Sequence, residues 1–530
     1  MPFFFRNLTI SPDINENDLP ELVATQLGLF PGQFQDFRIV RKGVDARKKP
    51  RIKLVYTVSF SLSDEALFRD RISSVTVPAD VEWKPEPVPR MFTPVQTREK
   101  IVIVGSGPAG LFAALRLAEY GVSATIIERG QPVEQRARDV QQFWKHGILD
   151  PESNVQFGEG GAGTFSDGKL TSRSKDPLVP WVLERLVDFG AQSSVRYLAK
   201  PHIGTDRLRL VVSNIRRYLL GKGFTISFGC RLTDIVVRDG RCVAVIANDN
   251  EEFPCDRLIL ATGHSARDTF ELLERRSVPL ERKAFAMGLR VEHPQELIDR
   301  IQYGGKRHAN LPPADYAVAW NNDDSGRSAY SFCMCPGGVV VAGASEKGGV
   351  VTNGMSGQLR NSPFANSALV VNVTTDDFGG SGPLAGIHFQ RYWEQRAFSA
   401  AGGGFRAPAQ TLLSFMGLPG RGTLSCSYRP GIVEADLTQI LPAYVISTLR
   451  EGVAAFNKRL RGFISSEANL IGIESRTSSP VRVVRDAHYE SIGLQRLYPA
   501  GEGAGYAGGI MSSAIDGVKI ADTIAARLRC

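Results

Sequence analysis

The sequence lacks long apolar runs and a regular pattern of cysteines. No uninterrupted hydrophobic stretch approaches the roughly 20 residues that a membrane-spanning helix needs. The three phenylalanines before Arg6 are too few for the core of a signal peptide. The seven cysteines are odd in number and form no CxxC pair, which argues against a disulfide framework and a thioredoxin-like motif. We therefore expect a cytoplasmic protein with no membrane partner.

Two of these cysteines, Cys333 and Cys335, are separated by a single residue. In a β-strand both sulfur atoms would point to the same face. We interpret them as packing residues, because free cysteine behaves mostly as a small buried hydrophobe. The alternative is that they line a site.

The net charge and the lack of metal-binding motifs limit the classes of function that the sequence supports. The net charge of +8 favours an anionic cofactor or substrate without requiring nucleic acid. Neither an HxxxH motif nor a pair of CxxC motifs occurs, so we predict no metal site. A chain of 530 residues with 43% hydrophobic residues is typical of a globular protein of about three domains.

The N-terminal residues 1–90 predict a small separate domain. Its strand-like segments are FFFRNLTI, FRIV, KLVYTVSF and VTV, and its helical segments begin at Asp18 and at DEALFRDRI. The order βαββαβ predicts a ferredoxin-like fold. Eight Lys and Arg residues lie between Arg38 and Lys53. Because no aromatic stacking motif accompanies them, we interpret this run as a solvated hairpin rather than a nucleic-acid site.

A dinucleotide-binding fingerprint follows a proline-rich linker that runs from Pro85 to Pro94. The segment 100–104, KIVIV, is typical of a buried parallel strand, and GSGPAG at 105–110 comes directly after it. Apolar residues then recur at helical spacing, and a second strand ends in Glu128. Two other GxGxxG matches, which begin at Gly158 and Gly503, lack this context of strand, helix and acid.

Each residue of the fingerprint has a physical role. Gly105 permits the tight turn, Gly107 lets the backbone approach a pyrophosphate, and Gly110 lets helix and strand pack closely. The helix N-terminus favours the phosphates, and a carboxylate at the end of the second strand can accept hydrogen bonds from ribose. The predicted nucleotide-binding residues here are Gly105, Gly107, Pro108, Ala109, Gly110, Glu128 and Arg129.

Three further segments indicate FAD as the nucleotide. LILATG at 258–263 and LYPAGEG at 497–503 resemble the ATG strand and the closing motif of the glutathione-reductase-like flavoprotein superfamily. The glycine-rich segment 158–169 indicates close backbone approach to a flat or phosphorylated group. The predicted FAD contacts in these segments are Gly160, Gly161, Ser166, Asp167, Ala261, Thr262, Gly263, Gly501, Glu502, Gly509 and Ile510.

Longer strings make the resemblance specific. NVQFGEGGAGTFSDGKL (154–170), ATGHSARDTF (261–270), ESRTSSPVR (474–482) and YPAGEGAGYAGGI (498–510) resemble a family of bacterial FAD-dependent dehydrogenases. Its members are usually described as uncharacterised NAD(FAD)-utilising dehydrogenases, and the similarity covers essentially the whole chain. The resemblance implies a Rossmann-type FAD-binding domain, an inserted substrate domain and a small N-terminal domain. It supplies no substrate.

The predicted fold class is therefore α/β with α+β parts. We expect the ferredoxin-like domain over 1–90, a discontinuous domain that binds FAD non-covalently over 97–275 and 475–530, and a mixed-sheet substrate or cap domain over 276–474. Because no second strand–GxGxxG–helix unit occurs, NAD(P)H as electron donor would have to bind transiently against the flavin. The alternatives are that the electrons come from another protein or from the substrate itself.

Candidates for catalysis must lie against the flavin, because hydride moves to or from its N5 atom. His264 and Arg267 follow the ATG strand directly, and Arg476 is suited to hold a substrate carboxylate. The alternatives are a structural histidine and an interdomain anchor. We expect an FAD-dependent oxidoreductase that acts on a small molecule. A redox-sensing flavoprotein without catalysis and a flavin-dependent enzyme that modifies RNA or a protein partner are the other interpretations.

Overall fold

The structure is a computed structural model that describes residues 2–66, 68–69, 80–84, 92–171, 176–420 and 422–529. Within these ranges no helix combines the length and the apolar character needed to cross a membrane. The same ranges contain no group of three or more His, Cys, Asp or Glu side chains placed to hold a metal ion.

The N-terminal region is a four-stranded antiparallel sheet with a helix packed on one face. Alternate side chains of the strands, such as Phe3, Tyr56 and Phe60, are buried against Leu19 and Val23 of that helix. The elements are β1 (Phe3–Ile10), α1 (Leu19–Leu27), β2 (Phe34–Asp45), β3 (Lys53–Leu62) and β4 (Val81–Trp83). The sheet order β2-β3-β1-β4 is that of a ferredoxin-like unit. The predicted VTV strand, residues 75–77, lies outside the described residues.

The next region begins the nucleotide-binding fold. Strand β5 is buried at every residue, as its apolar sequence predicts, and a helix starts directly after the glycine turn. The elements are β5 (Ile101–Val104), α2 (Pro108–Glu119), β6 (Thr125–Glu128), α3 (Val133–His146), α4 (Val179–Asp188), α5 (Thr205–Gly221), β7 (Thr225–Phe228), β8 (Leu232–Arg238), β9 (Arg241–Ala247), β10 (Glu251–Pro254), β11 (Arg257–Leu260) and α6 (Arg267–Arg275).

The middle region is built on a seven-stranded mixed sheet. Its elements are β12 (Leu280–Arg282), β13 (Phe285–Pro294), α7 (Gln295–Tyr303), β14 (Ala319–Asn322), β15 (Arg327–Cys335), β16 (Val339–Ala342), β17 (Thr352–Met355), β18 (Phe364–Val373), α8 (Ala385–Ala400), β19 (Ala407–Thr411), α9 (Leu412–Phe415), β20 (Ile432–Glu434), α10 (Ala443–Arg459), β21 (Asn469–Glu474) and β22 (Val481–Val483). The order is β14-β15-β18-β13-β21-β19-β20. The central strand β13 is buried at all residues except the last.

The end of the chain returns to the nucleotide-binding fold with β23 (Leu497–Pro499) and α11 (Ile510–Arg527). These residues complete a five-stranded parallel sheet in the order β23-β11-β5-β6-β7. Helix α11 packs tightly on α2, because a Cβ atom at Gly517 would collide with the carbonyl oxygen of Ala109. Strands from both halves of the chain thus share one Rossmann-type sheet.

The N-terminal sheet is joined to the rest of the molecule by main-chain pairing. The N–H of Lys42 in β2 donates to the carbonyl of Tyr197, and the N–H of Ala199 donates to the carbonyl of Lys42, both at 2.8 Å. The basic run of β2 and its hairpin loop also makes local contacts: Arg47 pairs with Asp45, and the Nζ of Lys49 donates to the carbonyl of Ile301. The edge of this sheet therefore lies against the nucleotide-binding region.

Candidate active site

A cavity of about 490 Å³ lies between the parallel sheet and the middle region. Its volume is in the range that small-molecule and cofactor sites occupy. The glycine turn after β5 forms one end, and side chains of β15, β17 and β21 contribute to the other. The predicted residues that line it are Gly105, Gly107, Pro108, Ala109, Glu128, Arg129, Gly161, Ser166, Asp167, Ala261, Thr262, Gly263, His264, Arg476, Glu502, Gly509 and Ile510.

The glycine turn is shaped by the lack of side chains. Gly105 has φ +102°, and a Cβ atom there would collide with the carbonyl of Ala261. A Cβ atom at Gly110 would collide with the carbonyl of Gly105, so this glycine packs helix on strand and does not line the cavity. A Cβ atom at Gly107 would have the Cα of Gly161 as its nearest neighbour, at 3.7 Å, which leaves open space where a phosphate must approach.

Glu128 ties the first glycine turn to the glycine-rich loop. Its Oε2 accepts hydrogen bonds from the backbone N–H and the hydroxyl of Ser106, both at 2.8 Å. Its Oε1 accepts from the N–H groups of Gly130 and Gly158, both at 3.0 Å. A carboxylate has about four acceptor positions, so a ribose hydroxyl would share positions already in use. The predicted ribose contact stays a prediction, and the observed role is to hold two loops together.

Arg136 is a structural residue of the site that sequence reasoning missed. Its side chain is fully buried on α3, and its guanidinium donates to the carbonyls of Asn154, Val155, Gly158 and Glu159. Burial lowers the pKa of Arg136 to about 10, so the group stays charged at neutral pH. The only signal in the sequence is an arginine on the apolar face of an amphipathic helix, which does not reveal its partners.

Two further predicted glycines support the wall from behind rather than facing the cavity. A Cβ atom at Gly160, where φ is +82°, would collide with Thr164, and one at Gly501 would lie 2.8 Å from the Cβ of Ala109. The prediction that these two residues touch the cofactor is therefore not supported by their positions. Gly509 does line the cavity, directly before the N-terminus of α11.

Arg129 and Ser166, two predicted cofactor contacts, line the cavity and also make contacts within the protein. The guanidinium carbon of Arg129 lies 4.3 Å from the centroid of the Phe157 ring, and its Nη2 lies 2.7 Å from Oδ2 of Asp268. The hydroxyl of Ser166 donates to the carbonyl of Gly163 at 2.7 Å. Both side chains are thereby fixed in place before any ligand binds.

His264 belongs to a polar chain at the inner end of the cavity. The hydroxyl of Ser265 donates to the amide oxygen of Gln156 at 3.2 Å and lies 3.0 Å from Nδ1 of His264. Which of the two groups donates in that contact depends on the imidazole tautomer, and Nε2, the other ring nitrogen, faces Glu502. Burial, with Arg476 and Arg267 nearby, lowers the pKa of His264 to about 4. The imidazole is therefore neutral at pH 7.

Glu502 faces His264 from the C-terminal wall. Its Oε1 lies 3.9 Å from Nε2 of His264, and about a quarter of its side chain is accessible. Burial raises the pKa of Glu502 to about 7, against the opposing effect of Lys283. A carboxyl group with this pKa can give or take a proton near neutral pH.

The two predicted catalytic arginines bind a carboxylate of the protein itself. Glu394 on α8 is 1% exposed and receives two hydrogen bonds from Arg476, at 3.0 and 2.9 Å. Arg267 donates to the same carboxylate at 2.9 and 3.0 Å and also pairs with Glu346. Arg267 does not line the cavity, and the fork of Arg476 is occupied by Glu394. The predicted roles of Arg267 at the flavin edge and of Arg476 at a substrate carboxylate stay predictions, and the observed contacts of Arg476 fit the alternative of an interdomain anchor.

Asp167 and Lys169 form a charged cluster that also lines the cavity. The buried carboxylate of Asp167 accepts two hydrogen bonds from Arg360, at 3.0 and 2.6 Å, and one from Ser356. Lys169 Nζ lies 3.1 Å from Asp167. The neighbouring cations hold the pKa of Asp167 far below its usual range despite burial. Asp167 thus joins the glycine-rich loop to the middle region.

Comparison with known proteins places these features in a family. Residues 99–269 match the family model described as pyridine nucleotide-disulphide oxidoreductase, and residues 284–477 match the one described as FAD-dependent protein, C-terminal domain-like. Residues 5–61 match a domain of unknown function.

Individual proteins and solved structures are also similar to this chain. An uncharacterised protein of Clostridium beijerinckii is 44% identical over 528 residues, which is 99% of this chain and 98% of that protein. The thiamine thiazole synthase of Aeropyrum pernix is 25% identical over 42% of this chain and 74% of its own length. Among solved structures, the flavin-dependent brominase Bmp2 aligns with a TM-score of 0.37 at 12% identity, over 81% of this chain and 79% of that chain.

The residues present fit FAD. Gly107 leaves open space for close approach of a phosphate to the backbone. The N-termini of α2 and α11 both meet the cavity, where their dipoles favour phosphate and a negatively charged ring. With the matching family models and a relative that is similar over the full length, the conclusion is direct. The chain belongs to the same family as the Clostridium protein, a family of FAD-dependent oxidoreductases.

Proposed function

We propose that this enzyme transfers a hydride between N5 of bound FAD and a small molecule, with NAD(P)H as a transient electron donor. One observation carries the proposal: the glycine turn that suits the nucleotide and the inner polar group of His264 and Glu502 line the same cavity. A cofactor that reaches from the first to the second would bring its reactive ring to the polar end. When bound, FAD supplies the two-electron chemistry, and the protein supplies position, charge and protons.

The end of the cavity at the glycine turn after β5 consists mainly of backbone, which suits binding of a nucleotide. Gly107, Gly161 and Gly509 present backbone, and Glu128 and Arg136 hold the two glycine loops in register. We therefore propose that the predicted residues on the cavity wall are the FAD contacts.

The end of the cavity that contains His264 and Glu502 has groups suited to proton transfer. Reduction of a carbon centre by hydride requires a proton as well, and Glu502 has a pKa of about 7 where this proton is needed. The neutral His264 has one unprotonated ring nitrogen, and in the tautomer that is protonated at Nδ1 its Nε2 accepts a hydrogen bond from the protonated form of Glu502. We propose Glu502 as the acid or base and His264 as the residue that orients it.

A nicotinamide cofactor that donates electrons to the flavin has to bind in this same cavity. The other two GxGxxG matches do not build a second nucleotide fold: Gly158 and Gly163 of one match lie in the cavity wall, and a Cβ atom at Gly503 of the other would lie 2.7 Å from the carbonyl oxygen of Gly263. A nicotinamide ring would therefore have to stack transiently against the flavin, as in a sequential exchange of donor and substrate.

The test is anaerobic reduction of the purified holoenzyme. NADPH and NADH are added separately under argon, and the flavin absorbance is followed in a stopped-flow instrument. Rapid loss of the oxidised flavin spectrum with one of the two, saturating with concentration, is the expected result. An unchanged spectrum with both would contradict the nicotinamide-driven form of the proposal.

A further inference from the structure

The strand that carries Cys333 and Cys335 is irregular at this pair. Phe332 pairs with Ala368, and Cys335 pairs with Asn366. An advance of three residues along β15 therefore corresponds to an advance of two residues along β18. This is a β-bulge, and bulges are frequent next to active sites, where they redirect a side chain. Cys333 has φ +47°, in the left-handed region that residues other than glycine rarely adopt. The predicted regular strand with two equivalent sulfur atoms is therefore wrong.

The bulge gives the two thiols different surroundings. Cys333 lines the cavity that also contains Glu502, whereas Cys335 is fully buried behind it. The Sγ of Cys335 lies 3.3 Å from the carbonyl oxygen of Cys333. The Nζ of Lys169 lies 3.7 Å from the same sulfur atom.

Cations surround this pair. The Nη1 of Arg290 donates to the carbonyl of Cys333 at 3.4 Å, and Arg290 is held by two hydrogen bonds to Glu474. A hydrogen bond from Cys335, and the charges of Lys169 and Arg290, lower the pKa of Cys333 to about 6 despite burial. A low pKa and an accessible, electropositive setting are what distinguish reactive cysteines from structural ones.

We propose that Cys333 and Cys335 are a redox-active dithiol that exchanges two electrons with the bound flavin. In the oxidising direction the two S–H bonds are lost and one S–S bond forms. Two electrons and two protons leave the thiols; oxidised FAD would take up both electrons with one proton, and the second proton would pass to solvent in the cavity. The reverse step breaks the S–S bond, returns both protons to the sulfur atoms and leaves oxidised FAD. Thiolate character at Cys333, the sulfur on the cavity wall, favours it as the reacting atom.

A second pair of cysteines in the chain provides an internal contrast. The Sγ atoms of Cys242 and Cys255 are 3.8 Å apart, and both residues are buried. Neither lines the cavity, and the hydrogen bond with Cys242 together with burial raises the pKa of Cys255 far above its usual range. This pair has the proximity but neither the access to the flavin nor the lowered pKa.

The inference needs only FAD binding and is independent of the nicotinamide step. It is tested by anaerobic dithionite titration of air-oxidised holoenzyme, with samples alkylated by iodoacetamide and digested with trypsin. The wild type should take up about four electrons per chain rather than two. The peptide of residues 328–347 should be unlabelled at the start and carry two labels at the end point.

Variants and controls separate the possible outcomes. C335S should take up about two electrons, whereas C255S should behave as the wild type. If C335S fails to fold, the labelling of the wild-type peptide still decides. Uptake of about two electrons by the wild type, with the peptide doubly labelled from the start, would overturn the proposal. So would equal rates of peptide reduction with and without FAD, because the electrons would then bypass the flavin. Four-electron uptake from dithionite with no reduction by NADPH would contradict only the nicotinamide step.

Discussion

Nε2 of His264 lies 3.9 Å from Oε1 of Glu502, and the two side chains come from loops that are more than 200 residues apart in sequence. The histidine follows β11 and the glutamate follows β23, two neighbouring parallel strands that end at the same edge of the sheet. Ligands of such folds bind at the carboxyl ends of the strands. The sheet itself therefore brings together the two groups that we propose to manage the proton.

The first prediction concerns the pH dependence of stability at Glu502. Its folded pKa of about 7 lies above the ordinary value, so the folded state prefers the protonated form. The resulting stabilisation is present at acid pH, below the unfolded pKa, and is lost as pH rises through about 7. E502Q, which mimics the protonated form, should be more stable than the wild type by roughly 2–3 kcal/mol at about pH 8.5 and similar to it below pH 5. Thermal melts across pH measure this difference.

The control is E296Q, which removes the charge of an exposed side chain on α7. Its difference from the wild type should not vary with pH in the same way. A pH-independent offset for E502Q would show that the carboxyl group is already ionised in the folded enzyme at neutral pH.

The second prediction concerns the open space at Gly107. A methyl group fits the fold there, because its nearest neighbour would be 3.7 Å away and φ is −76°. It would however occupy the path of a phosphate. G107A should therefore unfold like the wild type and bind FAD at least about tenfold more weakly, which is about 1.4 kcal/mol. Fluorescence titration of the FAD-free protein measures the affinity. G221A, on the surface at the end of α5, is the matched control and should bind FAD normally.

The third prediction concerns the carboxylate shared by Arg267 and Arg476. Removing the charge of Glu394 deprives two buried guanidinium groups of the carboxylate that they share, and leaves Arg267 with Glu346 as its remaining carboxylate. Breaking a buried ion pair costs about 3–5 kcal/mol, so E394Q should unfold at clearly lower denaturant concentration. The surface variant E296Q should change stability by less than about 0.5 kcal/mol. Equal unfolding midpoints for E394Q and the wild type would refute the anchor interpretation.

The fourth prediction concerns Arg136. R136M retains bulk but removes the donors to four carbonyls of residues 154–159, which wall the cavity. Hydrogen bonds to a charged group contribute about 1.5–3 kcal/mol each, so this segment should open to protease and FAD affinity should fall at least about tenfold. Limited proteolysis and FAD titration measure both effects. R138M alters an exposed arginine on the same helix and should leave both properties unchanged.

Local sequence signals predicted the nucleotide end of the site well. The strand before Gly105, the helix after Gly107 and the acid at Glu128 are encoded within a few residues of one another, so their arrangement follows from local rules. The first three strands and the first helix of the N-terminal region followed in the same way from local patterns, whereas the fourth described strand, Val81–Trp83, was not predicted.

The inner end could not be predicted in this way, because its partners are distant in sequence. The sequence leaves Arg476 as a candidate for binding a substrate carboxylate. The fold places Glu394, which lies 82 positions earlier, against its guanidinium. The buried donors of Arg136 likewise depend on where the glycine-rich loop runs. The bulge at Cys333 arises from strand pairing with β18, and pairing register is not a property of the local sequence.

The central claim is that the chain uses FAD held in this cavity for redox chemistry. The most direct test is to purify the protein, record its visible spectrum, denature it and quantify the released flavin before and after reconstitution with FAD. The account predicts a yellow protein that releases a stoichiometric amount of FAD on denaturation and loses its oxidised flavin spectrum when reduced under argon. A colourless protein that takes up no FAD on reconstitution would contradict it.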